Sequence, residues 1–209
     1  MRNILLSSIL KDISGYYTNK IITNGPNHFG VDWNSKQAQF QRFKHLSKII
    51  NTKGATVNDI GCGYGAYIDF SKDNFQDIKY KGYDLSYEMI CFASKLHSQN
   101  QFKHISNLHE IETSDYSIAS GLFNVMMQYD RNDWFEFIIN VLEIINVKST
   151  KGFSFNILSK KHDAKYRKHH LYYADPEFFH DYCKNHFSRY IDILEDPNLF
   201  EFTILVNKK

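Results

Sequence analysis

Proline is scarce in this chain, three among 209 residues, and glycine reaches only ten. That composition excludes collagen-like repeats and long low-complexity linkers. Cys62, Cys91 and Cys183 are odd in number and widely separated. They make neither a disulfide framework nor a C-x-x-C pair, so the expected compartment is reducing and the expected location cytoplasmic. Neither sign of charge dominates, with 25 Lys+Arg against 23 Asp+Glu. A dedicated duplex binder concentrates basic charge to displace counterions, so no nucleic acid partner is expected. No run approaches the ~18 consecutive apolar residues of a membrane span, and no membrane insertion is expected.

The N-terminus has one early Arg and an apolar patch, the outline of a secretory leader, but no small-x-small cleavage site follows and Lys11 and Asp12 end the patch. Leu5, Ile9 and Ile13 fall on one helical face, which favours a packed amphipathic helix.

What is present is enough for a core: 43% hydrophobic and 16% aromatic residues. The expectation is a single domain over residues 1–209, with an N-terminal helix and lid in 1–35 and the core in 36–209. Glycines, Pro26 and asparagines mark 15–30 as loop, and Ser35 caps a helix reaching Ile50. From residue 55, short apolar runs alternate with helical periodicity. Strands are predicted at 56–60, 79–84, 102–105, 115–121 and 153–158, with helices at 66–72, from a Ser86 cap to Leu96, at 134–147 and near 176–184. Runs at 189–194 and 200–206, joined by the short turn Asp196-Pro197-Asn198, must be antiparallel. The pattern predicts a doubly wound, Rossmann-like α/β sheet of about seven strands, mostly parallel with an antiparallel C-terminal hairpin.

The chemistry-bearing pattern is Asp59-x-Gly61-x-Gly63-x-Gly65 directly after an apolar strand. Glycines there allow a tight turn and a close backbone approach to a ligand, and the next helix offers unpaired N–H groups. Asp84 ends the second strand about 20 residues on, where a carboxylate can accept both hydroxyls of a ribose. Together these point to a nucleoside-bearing cofactor. Gly61-x-Gly63-x-x-Ala66 also fits the dinucleotide fingerprint. Three features oppose a dinucleotide. Asp59 would repel a pyrophosphate but could engage a cationic amino group, no second catalytic domain remains, and the terminal antiparallel pair is foreign to such sheets. As a strand-end ligand group, Asp84 is expected to matter little to fold stability.

These residues resemble the class I S-adenosylmethionine-dependent methyltransferases. Val57 to Gly65 matches their first motif and Gly82-Tyr83-Asp84-Leu85-Ser86 their second, while Asp115 to Asn124 resembles the fourth-strand motif and the final hairpin their reversed last strand. More narrowly, Gly30-Val31-Asp32-Trp33, Gln39 with Arg42-Phe43, Ser120 to Asn124, Leu171 to Pro176 and Glu201 to Ile204 resemble a small bacterial subgroup. That subgroup is associated with surface-polysaccharide gene clusters, including the O-methyl phosphoramidate capsule modification of Campylobacter-like bacteria.

The resemblance implies S-adenosylmethionine as cofactor. Asp59 and the backbone of Gly61, Cys62 and Gly63 would face its methionine part, and Asp84 its ribose. Leu85 and Met89 would flank the adenine, with Asn107 as partner of the adenine amino group, although the family more often has Asp or Glu there. Ser120, Gly121 and Leu122 would line the sulfonium. Arg42 would pair with the methionine carboxylate, or else be a solvated helix charge. Tyr172, His170 and Asn124 are the catalytic candidates, with His162, His169, Tyr173 and Asp175 nearby in sequence. The implied acceptor is a small, anionic molecule, a phosphorylated, nucleotide-linked or sugar precursor of a surface polysaccharide that would be O-methylated. The basic run 160–170 is then either an electropositive lid or a solvated loop. No metal is expected, because His169 and His170 lack a third ligand at metal spacing. The chain has no Pro-Pro, and so lacks the Asn/Asp-Pro-Pro-Tyr/Phe signature of nucleobase-amine methylation. A catalytically silent cofactor-binding subunit is the alternative.

Overall fold

The computed structural model describes residues 2–74, 77–161, 163–196 and 198–208. Apolar five- and six-residue runs, too short for helices, become the central strands β1 (Thr56–Ile60), β2 (Lys79–Asp84) and β4 (Ser114–Ala119). Around them lie β3 (Gln101–His104), β5 (Ser149–Ser159), β6 (Tyr173–Ala174), β7 (Tyr190–Asp196) and β8 (Glu201–Asn207). The sheet runs β3-β2-β1-β4-β5-β8-β7, and the two-residue β6 pairs with β5 off that path. All pairings are parallel except β5 with β8 and β7 with β8. The expected sheet, reversed terminal hairpin included, is therefore the observed one; β6 is the strand too short for any sequence pattern to reveal.

Helices cover both faces. On one, α1 (Arg2–Asn24), α5 (Arg131–Lys148) and α6 (Pro176–His186) bury Ile9, Trp134, Phe137 and Phe179 against Phe155 and Phe202. On the other, α2 (Lys36–Leu46) and α3 (Ala66–Asn74) pack Phe43, Leu46, Tyr67 and Phe70 on Val57, Tyr116 and Ile118. Tyr87–Leu96 forms α4. Ser35, Ser86 and Asp130 cap α2, α4 and α5 by accepting backbone N–H groups. No helix among the described residues is long and apolar enough to cross a membrane.

The N-terminal segment differs from expectation. Residues 15–24, read as loop, continue α1. A mid-helix glycine costs about 1 kcal/mol, but tertiary contacts outweigh it. Ile13 and Ile21 are buried, Ser14 Oγ donates to Leu85 O at 2.7 Å, and Thr18 Oγ1 donates to Glu88 at 3.0 Å. Those contacts lay α1 across the start of α4, beside the C-terminal ends of β1 and β2. The expected loop is confined to the stretch after Asn24, where a single 3-10 turn at His28–Val31 leads to α2.

Candidate active site

The turn after β1 is fastened to the end of β2: Gly61 and Cys62 N–H both donate to Tyr83 O, at 2.8 and 3.0 Å. Gly61 and Gly63 take φ of +73° and +56°, where L side chains are strained. A Cβ on Gly61 would lie 3.0 Å from Leu122 Cδ1, and one on Gly63 the same distance from Val31 Cγ1. The turn thus approaches its neighbours closely and leaves bare backbone facing a cavity of about 610 Å³, of the size that holds small-molecule ligands.

Asp84 lines this cavity. Its two oxygens accept Gly63 N–H at 2.9 Å and Ser86 N–H at 2.8 Å. Burial raises its carboxyl, opposed by those backbone donors. Asp59 is buried at the end of β1 and accepts the Tyr80 hydroxyl at 2.9 Å. Desolvation pushes it up to about 7, against the Tyr80 hydrogen bond, and the charge of Asp84 adds to the rise. Two neighbouring acids destabilised by burial make this wall receptive to a cation. Ser120 Oγ, also on the cavity wall, is buried without a hydrogen-bond partner among the described residues. Bare glycine backbone, two acids held above their ordinary range and an orphaned hydroxyl together fit a cationic, nucleoside-bearing cofactor.

Asp59, Gly61, Cys62, Gly63, Asp84, Leu85, Met89, Ser120, Gly121 and Leu122 all line the cavity, as do Ile105 and Leu108, which sequence reasoning missed. Asn107 does not. It caps a 3-10 turn at Leu108–Glu110, accepting His109 N–H at 3.0 Å and donating to Glu110 at 2.9 Å. Its amide is spent locally, and the hydrophobic residue beside it forms the wall instead.

Arg42 lines the cavity, but neither reading of it matches its bonding. It is buried rather than solvated, and its guanidinium is committed to Glu201, with Nε at 2.9 and 3.0 Å from the two carboxylate oxygens. Its other nitrogens donate to Ala38 O at 2.8 Å and Leu199 O at 3.3 Å. Trp33 stacks 4.1 Å from the same guanidinium. Glu201 was not singled out as a site residue; a charged residue opening a strand gives no signal of a partner 159 positions away.

His170, Lys168 and Arg167 also line the cavity, as do Tyr16, Lys20 and Asp32, and His170 is near enough to Asp32 and Lys20 to feel their charges. Tyr16 donates to Asp32 at 2.6 Å, and Lys20 pairs with the same carboxylate at 2.5 Å. Burial holds the His170 imidazole below its ordinary value, and His169 and Lys168 reinforce this. Asn124 is on the wall, its Oδ1 accepting Leu158 N–H at 3.2 Å. Tyr172 is absent from the wall. It packs into the core under the Arg131 guanidinium at 4.9 Å, and burial raises its phenol. An aromatic ring with an apolar site available goes inward, so Tyr172 is removed from the catalytic candidates. Tyr173 stays on the wall, its hydroxyl accepting Lys168 N–H at 3.1 Å, while Asp175 caps α6 and pairs with Lys160 at 2.5 Å. The basic run divides likewise: Lys161 and Lys165 pair with Glu195 and Asp163, at 2.8 and 3.0 Å. His162 lies outside the described residues.

No protein-family profile matches the chain. A Mycobacterium tuberculosis protein assigned as a methyltransferase, Rv1506c, is 38% identical over 154 residues, which is 73% of this chain and 93% of that protein. Among solved structures, the plantazolicin methyltransferase BpumL, crystallised with a desmethylplantazolicin analogue and S-adenosylhomocysteine, covers 100% of both chains at TM-score 0.66 and 13% identity. The magnesium protoporphyrin IX methyltransferase of Synechocystis with S-adenosylhomocysteine covers 83% of each chain at TM-score 0.58 and 15% identity.

Proposed function

We propose, since this chain belongs to the S-adenosylmethionine-dependent methyltransferases, that it methylates a small anionic acceptor bearing a hydroxyl group. The observation that carries this reading is the lining of one cavity, in which the paired acids Asp59 and Asp84 and bare glycine backbone are joined by Lys168, Arg167 and His170.

Bound S-adenosylmethionine supplies an electrophilic methyl group on a sulfonium. Asp84 accepts the ribose hydroxyls with the lone pairs left beside its two backbone bonds. Asp59 faces the methionine ammonium and is ionised by it, which offsets the desolvation that raises it now. Leu85, Met89, Ile105 and Leu108 enclose the adenine, and Ser120, Gly121 and Leu122 border the reacting methyl.

Methyl transfer is an in-line displacement, so holding the acceptor oxygen in line does much of the work. Lys168 holds the anionic group of the acceptor. His170, kept neutral near pH 7 by its surroundings, takes the proton of the attacking hydroxyl on a ring nitrogen. The resemblance to the surface-polysaccharide subgroup supports a phosphorylated or nucleotide-linked sugar as the acceptor.

The test has two stages. Calorimetry with S-adenosylhomocysteine is expected to show binding, and turnover assays with phosphorylated and nucleotide-linked sugars are expected to release it. Binding of NADH or NADPH without S-adenosylhomocysteine would end this reading. Cofactor binding with turnover only of uncharged or nucleic acid acceptors would overturn the assigned acceptor class.

A further inference from the structure

We propose that Glu201 and Arg42 are positioning residues: a buried ion pair with two arms that close on Gly121 and hold it at the reacting end of the cavity. The inference rests on the methyltransferase reading above, because it assigns Gly121 to the edge of the transferred methyl.

Glu201 opens β8, is 4% exposed, and lies beside Arg42 of α2, which is 7% exposed. The contact between them is a fork, with Arg42 Nη2 a further 2.8 Å from the Glu201 carboxylate. One arm leaves through the sheet. Asn156 of β5 donates its Nδ2 to Glu201, and its Oδ1 accepts the Gly121 N–H at 2.7 Å. The other leaves through aromatic stacking. The Arg42 guanidinium carries the Trp33 indole, and that indole covers Gly121 so closely that a Cβ there would fall 2.6 Å from Trp33 Cζ2. Asn124 adds a long contact, 3.5 Å, from its Nδ2 to the same carboxylate.

Residues from four separate elements thus converge on one glycine. Packing alone does not require them. A buried ion pair replaced by apolar side chains of similar volume is often no less stable, so stability alone does not account for the choice of charged residues here. Its geometry supplies what apolar packing cannot: a directed hydrogen bond to one peptide N–H and a planar cation supporting one indole. Gly121 has φ of +71°, which glycine adopts without strain, so its own backbone does not fix its position and its neighbours do. Trp33, on the loop between α1 and α2, is thereby locked to the strand-end loop after β4. The wall on the acceptor side and the edge on the cofactor side move as one body.

The protein has two tryptophans, Trp33 and Trp134, so incorporation of fluorotryptophan gives two fluorine NMR resonances, assigned with Trp33→Phe. Titration with S-adenosylhomocysteine is expected to shift the Trp33 resonance in the wild type and leave Trp134, buried in the core, as an internal control. In Glu201→Gln, nearly isosteric but uncharged, the unliganded Trp33 resonance is expected to broaden and its ligand-induced shift to be lost. Arg42→Lys keeps the charge but neither the fork nor the stack, and is expected to behave like Glu201→Gln; it carries the test alone if the Gln variant does not fold. A variant with a lowered melting temperature but a wild-type Trp33 resonance and shift would overturn the proposal, leaving the pair merely structural. Failure of the wild type to bind S-adenosylhomocysteine would instead defeat the functional reading on which it rests.

Discussion

On the cofactor side of the cavity, Gly61, Cys62 and Gly63 present backbone, and Asp84 is anchored by two backbone donors. On the acceptor side the surface is made by Lys168, His170, Tyr16, Lys20 and Asp32, long or polar side chains carried on α1, on the loop that follows it and on the crossing between β5 and β6. The first side is rigid because its geometry is the geometry of the sheet ends. The second is set by how two distant segments pack. A fixed cofactor and a variable acceptor call for that division: a family can exchange one without disturbing the other.

Substitutions that act on one side only break this comparison most sharply. Gly63→Val has the largest expected effect, because a branched side chain at φ +56° meets Val31 and enters the cofactor space. Calorimetry should register no S-adenosylhomocysteine binding at all. Asp84→Ala should weaken binding by about ten- to a thousandfold, the loss of one or two charge-assisted hydrogen bonds. The sequence-based expectation that its fold stability would be untouched is corrected by the two backbone N–H groups Asp84 satisfies. A lower melting temperature should accompany the weaker binding.

Protonation sharpens the contrast further. The folded-state value of Asp59 is about 7 against an ordinary 3.8, so the unliganded fold binds more protons than the unfolded chain between those values. Its stability should therefore fall as pH rises across that window. Cofactor affinity should run oppositely, since the ionised carboxylate receives the ammonium. It should drop as pH is lowered through about 7, by up to about tenfold per pH unit for one linked proton. Asp59→Asn should flatten the profile.

On the acceptor side, Lys168→Ala should raise KM for an anionic acceptor several-fold, more at low salt than at high, with S-adenosylhomocysteine affinity unchanged. Lys165→Ala, whose amine already pairs with Asp163, should leave KM as it was. The smallest effect belongs to Gly15→Ala. Nothing lies within 4 Å of a Cβ at that helical position. Thermal melting should show a gain of up to about 1 kcal/mol, with cofactor binding unaltered.

The same division explains which parts of the molecule could be read from residues alone. The glycine turn, Asp59 and Asp84 are legible because a tight strand-to-helix turn demands particular residues at particular spacings. The sheet is legible because apolar runs and caps are local. In the sequence Arg42 reads as a partner of the methionine carboxylate or as a solvated helix charge, with nothing to link it to Glu201, and only the packing of α2 against β8 makes them a pair. Asn107 misled because its position after β3 was right while its amide had a closer use in the Glu110 cap. Tyr172 misled because polar-ended aromatics serve cores as readily as sites, and Gly15 because helix propensity yields to tertiary contacts.

The separation of 159 residues between Arg42 and Glu201 has a consequence for the order in which the protein acquires its shape. Closing so long a loop carries an entropic cost that neighbouring pairings do not. The β1–α3–β2 unit, whose contacts are short in sequence, is expected to form early. The ionic closure must wait until β8 has inserted between β5 and β7. Refolding followed by the environment of Trp33 should therefore lag behind refolding followed by backbone circular dichroism. The reacting end of the cavity would be the last part of the molecule to mature.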